Sequence, residues 1–488
     1  MNVIDTDVLV IGSGAAGLRA AVTAAVHGVE VITLNKGRAV NCTSWADRTY
    51  EITGGGGCGF AAPIIPPDGP EKYYEDLSRI AGGGNIPELT SLFAGKSTDA
   101  FFYLKDRGVR FKKTPGGNPF TVPELWHSFP RILYSEYGTG KEIIRVLKAQ
   151  AISSGAKILD GFHAFRLLVR DGEIIGCLAF SKGSKKIICF RCKAIILATG
   201  GAGRVFKYST NPVGITGDGI SLASEVGAEL INIDLYSDIP MSLKPVYGIG
   251  FVPHLLFAGV NASVEELLKS PEILWTYNPS KLSLKEFQSK FPKTFKKLKS
   301  MGFNLNSDTI DLHWMAHFML GGVRINTKAE TSVNGLYAAG EIAGGITGKG
   351  RLPGTGIAEG IVFGEIAGKN SSAYVKGLRY SMLDKNILEN KYSITRILSQ
   401  RAFQDLEQIK NLLSQLLYKA LRDKMDSFIK STAVEFTAKE KETNRLLGAE
   451  YTEFIPSQSQ SKTIFELKSV LAFGKLYLKE EASLPEQA

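Results

Sequence analysis

Cysteine is scarce in this 488-residue chain: five residues, at 42, 58, 177, 189 and 192. Odd in number and scattered, they offer no disulfide framework and fit a reducing compartment. Cys189 and Cys192 have metal-type spacing, but no second pair or nearby histidine completes a site, so they read as two strand residues. Long apolar runs are also missing, since no stretch reaches the roughly 20 residues of a membrane span. A strand-like run follows Met1 directly and leaves no room for a secretory or twin-arginine leader; the expected location is cytoplasmic, with any membrane association through partner subunits. No nucleic-acid motif, internal repeat or low-complexity segment is present.

What is present is ordinary globular material, 44% hydrophobic and 22% charged, long enough for two or three domains. The 52 glycines exceed one residue in ten and gather in clusters, including Gly54, Gly55 and their neighbours, Gly82–Gly84 and Gly200–Gly203. There the backbone must bend tightly or approach a ligand closely, as a phosphate-rich cofactor requires. The net charge is +10, with lysines dense between Lys281 and Lys299. That run reads as a solvated face, and its field also suits anionic substrates or an acidic partner.

Residues 1–239 and 317–375 alternate short β-branched runs with Gly-punctuated helical stretches. DVLVIG, VEVITL, KAIILATGG and NGLYAAG are the clearest strands, and the alternation predicts an α/β fold with a parallel sheet. Residues 240–316, rich in Pro, Lys and aromatics with little strand alternation, read as an insertion. Residues 376–488 read as a helical appendage: Phe403, Leu406, Ile409, Leu413, Leu416, Ala420 and Leu421 share one helix face, and a second helix is expected over Thr463–Leu478.

The run Asp7–Ile11 leads into Gly12-Ser-Gly14-Ala15-Ala16-Gly17 and then an Ala-rich helix, with a second strand, Val29–Leu34, at the right distance. Gly12 permits the strand-to-helix turn, Gly14 lets a pyrophosphate approach the backbone, and Gly17 lets helix and strand pack closely. The phosphates then sit at a helix N-terminus, where free N–H groups and the dipole favour negative charge. Asn35 and Lys36 stand where such folds usually place an acid for the adenosine ribose. Asn accepts a hydroxyl proton through its carbonyl oxygen, and loss of the acid argues against NAD.

Ala194–Gly201, with Ala198, Thr199 and Gly200 at its turn, resembles the Ala-Thr-Gly strand of two-dinucleotide-domain flavoproteins. Asn334–Glu341, ending in Gly340 and Glu341, resembles their late strand, and together these motifs favour FAD. Adding Thr216-Gly-Asp218-Gly, His317-Phe-Met-Leu-Gly-Gly322 and Arg351-Leu-Pro-Gly-Thr-Gly-Ile357, the chain resembles the fumarate reductase and succinate dehydrogenase flavoprotein family, which includes L-aspartate oxidase. The resemblance implies a Rossmann-like FAD-binding domain, a capping domain over 240–316 and a C-terminal helical domain. It also implies that Asp218, Glu341 and the backbone at Gly356 and Ile357 contact FAD, while His317 and Arg351 bind a substrate carboxylate beside flavin N5. Arginine suits that role because its planar fork grips a carboxylate through two hydrogen bonds. Read from the residues alone, His317 in isolation is better taken as a core histidine, Arg351 is compatible with a surface or phosphate-neighbouring arginine, and Asp218 with a helix cap.

The chain also departs from the family. Members with covalent flavin carry a histidine before the first Gly-rich strand, and residues 38–60 contain none, so a non-covalent FAD is expected. The family's proton donor is a cap arginine, yet no arginine lies between Arg204 and Arg324; Lys244, Tyr247 and His254 are the nearest replacements. No histidine matches the family's second substrate histidine in Asn232–Ile239, and the Arg-rich C-terminal stretch is missing. Three readings follow: hydride exchange with a small carboxylate beside an iron–sulfur subunit, L-aspartate oxidase-like amine oxidation, and a flavin-holding relay subunit without substrate chemistry.

Overall fold

The computed structural model describes residues 2–37, 59–122, 126–135, 138–184, 186–212 and 214–244 and, outside several short stretches between 245 and 271, continues to 381. Gly54, Gly55, Tyr247, His254 and both expected C-terminal helices lie outside the described residues.

The central strand β1 (Asn2–Ile11) runs parallel to β2 (Val31–Asn35) on one side and β9 (Lys186–Leu197) on the other. Its inner half, Val8–Ile11, is a continuous buried apolar run, as a strand covered on both faces must be. The order is β6-β2-β1-β9-β8-β7, with β6 (Lys157–Asp160) parallel to β2, and β8 (Glu173–Ser181) and β7 (Phe162–Arg170) antiparallel. Strand β9 divides its partners: Lys186–Arg191 pair with β8, and Ile195–Leu197 pair in parallel with β15 (Leu336–Ala338). All four strands singled out in the sequence therefore lie side by side as β1, β2, β9 and β15. Cys189 and Cys192 stand in β9 opposite Leu178 and Thr6, and burial pushes the Cys189 thiol up to about 11.

Helix α1 (Ala15–Val26) covers the sheet and packs on α8 (Thr355–Val375). Gly360, Gly364 and Gly368, spaced four apart, line one face of α8. Added Cβ atoms there meet Ala16 Cβ at 3.4 Å, Ala16 O at 2.5 Å and Ala20 O at 2.5 Å, so the two backbones approach too closely for larger residues. Between α1 and α8 in the chain come α2 (Pro70–Ala81), α3 (Pro87–Asp106), α4 (Thr139–Ser153) and α5 (Asp218–Glu225). A small antiparallel sheet of β3 (Phe60–Ala61), β5 (Ile132–Leu133) and β4 (Thr121–Val122) flanks the start of α8.

Where the sequence showed little strand alternation, the chain forms a three-stranded antiparallel sheet in the order β11 (Tyr236–Lys244), β13 (Thr309–Met319), β12 (Glu272–Thr276). Buried residues on β13 do not alternate, because Leu312–His313 and Met315–Ala316 are covered on both faces, and the period-2 signal is lost. Trp275, Phe287, Phe291 and Ile310 form a second apolar cluster under α6 (Leu284–Lys290) and α7 (Pro292–Ser300). A further sheet of β10 (Leu230–Ile231), β14 (Gly322–Arg324) and β16 (Ala343–Gly344) follows the return of the chain.

Candidate functional site

The three glycine-bearing turns expected at the cofactor converge at the C-terminal ends of β1, β9 and β15. Gly12 has φ 111°, which L side chains rarely adopt, and a Cβ there falls 2.2 Å from Ala198 O. At Gly17 a Cβ falls 1.9 Å from Gly12 O, so the third glycine is dictated by packing. Gly340 lies against Ala16, where a Cβ comes within 2.9 Å of the alanine methyl. Helix α1 starts after Gly14 with no side-chain cap and no acidic residue in its first turn. Such a helix start leaves N–H donors facing outward, which fits the pyrophosphate of a dinucleotide.

The end of β2 is organised by charge. Asn35 Nδ2 donates to Asp160 Oδ1 at 2.9 Å, and Lys36 Nζ donates to Thr216 Oγ1 at 2.9 Å and to Asp218. Thr216 Oγ1 donates to the other oxygen of Asp218 at 2.7 Å, and His163 Nε2 lies 3.4 Å from the carboxylate. Burial pushes the Asp218 carboxyl up, but the Lys36 ammonium and His163 outweigh it and hold the group well below the usual range. Asp218 opens α5 without capping it; Gly217 holds the cap position, with no side-chain bond.

His317 and Arg351, far apart in sequence, come within electrostatic range. Burial, then the Arg351 charge, pushes His317 down to about 3. His317 Nδ1 lies 2.9 Å from Thr210 Oγ1, and Asn211 Nδ2 donates to the His317 carbonyl at 3.0 Å. The Arg351 guanidinium stacks 4.0 Å over the Phe318 ring and donates from Nη1 to Thr355 Oγ1 at 3.2 Å. The same Phe318 ring closes over Gly356, where a Cβ comes within 2.7 Å of it, and Ile357 is buried beside it in the chain. Burial pushes Glu341 up to about 7, although the Met319 N–H at 3.0 Å and Arg351 favour its carboxylate. Thr199 is turned toward Gly219 at the start of α5, and Gly200 packs on Ile215.

Sequence reasoning missed Thr210, Asn211, Phe318 and Glu359. Glu359 is buried in α8, one of its oxygens has no hydrogen-bond partner among the described residues, and burial raises its pKa against the pull of Arg351. The signal was there: a single acid in the apolar helical run Ile357–Phe363. Lys244, one of the proposed proton-donor replacements, is exposed at the end of β11.

The chain is similar to several known proteins. The profile described as "FAD binding domain" matches residues 7–264 and 273–357. A fumarate reductase (CoM/CoB) chain of Methanothermobacter marburgensis is 28% identical over 401 residues, 75% of this chain and 72% of that protein. An L-aspartate oxidase of Clostridium acetobutylicum is 27% identical over 411 residues, 79% of this chain and 92% of that protein. In fold, the chain superimposes on a component of the Mycobacterium smegmatis Sdh1 complex with a TM-score of 0.82 at 22% identity, covering 100% of this chain and 88% of that one. It matches FrdA of Escherichia coli quinol fumarate reductase with a TM-score of 0.81 at 19% identity, covering 100% and 92%. The chain belongs to the FAD binding domain family and is an FAD-dependent oxidoreductase, similar in sequence to fumarate reductase and L-aspartate oxidase chains and in fold to succinate dehydrogenase and fumarate reductase flavoproteins.

Proposed function

We propose that this oxidoreductase acts on a small dicarboxylate held by Arg351 and His317, and that Gly12, Gly14, Ala15, Ala16, Gly17, Asn35, Lys36, Ala198, Thr199, Gly200, Asp218, Gly340, Glu341, Gly356 and Ile357 hold a non-covalent FAD. The observation that carries the reading is the placement of Arg351: stacked on Phe318, bonded to Thr355, and electrostatically coupled to His317, Glu341 and Glu359. A guanidinium fixed in this way presents its planar fork to a carboxylate in one orientation. His317, kept neutral by its surroundings, hydrogen-bonds the substrate without adding charge. FAD, when bound, supplies a hydride acceptor and donor at N5, and orientation of the substrate against that atom is the task left to the protein.

Electrons reach or leave the flavin through an iron–sulfur partner in this reading. Cys177, Cys189 and Cys192 are buried sheet residues whose thiols are raised by burial, unsuited to ligating a cluster. No described helix is long and apolar enough to cross a membrane.

A panel of unsaturated dicarboxylates added to the reduced holoprotein tests the proposal: flavin reoxidation by at least one supports it, and failure with all removes the substrate class. The likeness to L-aspartate oxidases favours a second reading, amine oxidation, which peroxide release on adding aspartate separates from the first. A relay subunit without substrate chemistry predicts instead that replacing His317 and Arg351 leaves the activity of an assembled complex unchanged.

A further inference from the structure

The turn that carries Arg351 into α8 is tied down at three successive carbonyls. Thr355 Oγ1 donates to Leu352 O at 3.1 Å, His127 Nε2 lies 3.0 Å from Pro353 O, and the Ala61 N–H donates to Gly354 O at 3.0 Å. The first is local to the turn and the third belongs to the small sheet. The second comes from a side chain 226 positions away in sequence.

The chemistry of its two neighbours fixes the state of His127. A guanidinium only donates, so Nδ1, 3.4 Å from Arg131 Nη1, is the acceptor; a carbonyl only accepts, so Nε2 carries the proton given to Pro353. The ring is thus a neutral imidazole of one tautomer. Burial keeps it so, pushing His127 down to about 4.

Behind the ring stands a buried ionic frame. Arg131, with no exposed surface, grips Asp68 with two bonds of 2.6 and 2.7 Å and reaches Asp76. Asp76 also accepts from the backbone N–H and hydroxyl of Ser128, at 2.7 and 2.6 Å, and from Arg79. Arg79 in turn donates to Trp126 O at 2.7 Å, and Trp126 holds φ 67°, strained for a side chain of its size. The residues on both sides of His127 are therefore pinned to α2, and Tyr73 of that helix stacks on the imidazole at 6.3 Å between ring centres. Such over-determination of a strained backbone is what a fixed hydrogen-bond donor requires.

We propose that His127 is a positioning residue for the substrate site: its Nε2–H bond to Pro353 transmits the Asp68–Arg131–Asp76 frame to the turn at residues 351–354 and holds the Arg351 guanidinium where it meets a carboxylate. The inference rests on the reading of Arg351 as the carboxylate ligand. In this role His127 acts through the turn, by way of its contact with Pro353.

The test is a double-variant cycle read by the flavin difference spectrum when holoprotein is titrated with fumarate. His127→Phe keeps a ring against Tyr73 but has no donor; His127→Gln keeps a terminal N–H for Pro353. His127→Phe is expected to raise the fumarate Kd about tenfold, the loss of one net hydrogen bond, with FAD content unchanged, and His127→Gln to recover most of the loss. Combined with Arg351→Lys, His127→Phe is expected to add little, because the group it positions is already altered. Additive effects in the double variant, or no effect of His127→Phe beside a weakened Arg351→Lys, overturn the positioning role alone. An unchanged Kd in Arg351→Lys overturns the carboxylate reading itself. Loss of FAD from both His127 variants overturns the proposal too, since it assigns His127 to the fold as a whole.

Discussion

Gly364 of α8 faces the carbonyl oxygen of Ala16 in the first turn of α1, so closely that a Cβ at Gly364 comes within 2.5 Å of it. Two effects compete in Gly364→Ala. Alanine favours the helix by about 1 kcal/mol, whereas overpacking costs about 1–3 kcal/mol, and the obstructing atom is backbone that cannot rotate away. We expect the clash to win, with a lower thermal midpoint and a weaker hold on FAD as the start of α1 shifts. Differential scanning fluorimetry with and without added FAD reads both, and a midpoint at or above that of the parent protein refutes the close-packing argument.

His317 is pushed down to about 3 by burial and by Arg351. It stays neutral across the ordinary working range, because the folded protein disfavours its charged form. The fumarate Kd should therefore show no histidine titration between about pH 5.5 and 8, where an ordinary imidazole of pKa about 6.5 would change charge. Isothermal titration at four pH values checks this, and a Kd that tightens on acidification through about 6.5, and does so no longer in His317→Gln, contradicts the neutral histidine.

Glu341 carries the opposite sign of linkage. Burial pushes its carboxyl up to about 7, with the Met319 N–H and Arg351 pulling it down and Glu359 adding to the rise; the same Glu341 charge faces the buried Tyr236. Its folded pKa thus lies above the ordinary 4.5, so the folded chain binds this proton more tightly than the unfolded one. Its contribution to stability is complete below about pH 4.5 and is lost as pH rises through about 7, with a ceiling on the order of 3 kcal/mol. Urea unfolding of the FAD-free protein at pH 5 and pH 8 should show a smaller drop for Glu341→Gln than for the parent. An equal drop in both refutes the assignment.

The parts of this molecule that were legible in the sequence are those written locally. Val8–Ile11, Gly12 to Gly17 and the Ala-rich helix after them are contiguous, and each residue answers to a rule of turn or packing that acts within a few positions. The strands around Ala194 and Leu336 were legible for the same reason. Strand β13 was not, because Leu312–His313 and Met315–Ala316 are buried in pairs and erase the alternation that announces a strand. The glycine ladder of α8 passed unread because Gly360, Gly364 and Gly368 matter only once α1 is laid against them. Likewise, Lys36 gave no sign that its partner was Asp218, 182 positions on. His127 was silent altogether: its neighbours Arg131 and Pro353 meet it only in the folded chain.

The flavin's attachment offers a last, independent test. Residues 38–60 contain no histidine, the nucleophile that family members with covalent flavin carry there, but they do contain Cys42, Tyr50 and Cys58. A thiolate is a competent nucleophile, so the absence of histidine alone does not decide the matter by chemistry. What favours non-covalent binding is sufficiency: the turns at Gly12, Ala198 and Gly340 converge on one uncapped helix start, and the charge-organised end of β2 lies beside them. Trichloroacetic acid precipitation of the holoprotein should leave all the yellow colour in the supernatant and a denatured chain without flavin fluorescence. A fluorescent band on a denaturing gel that vanishes in Cys58→Ser or Cys42→Ser would instead assign the bond to a cysteine.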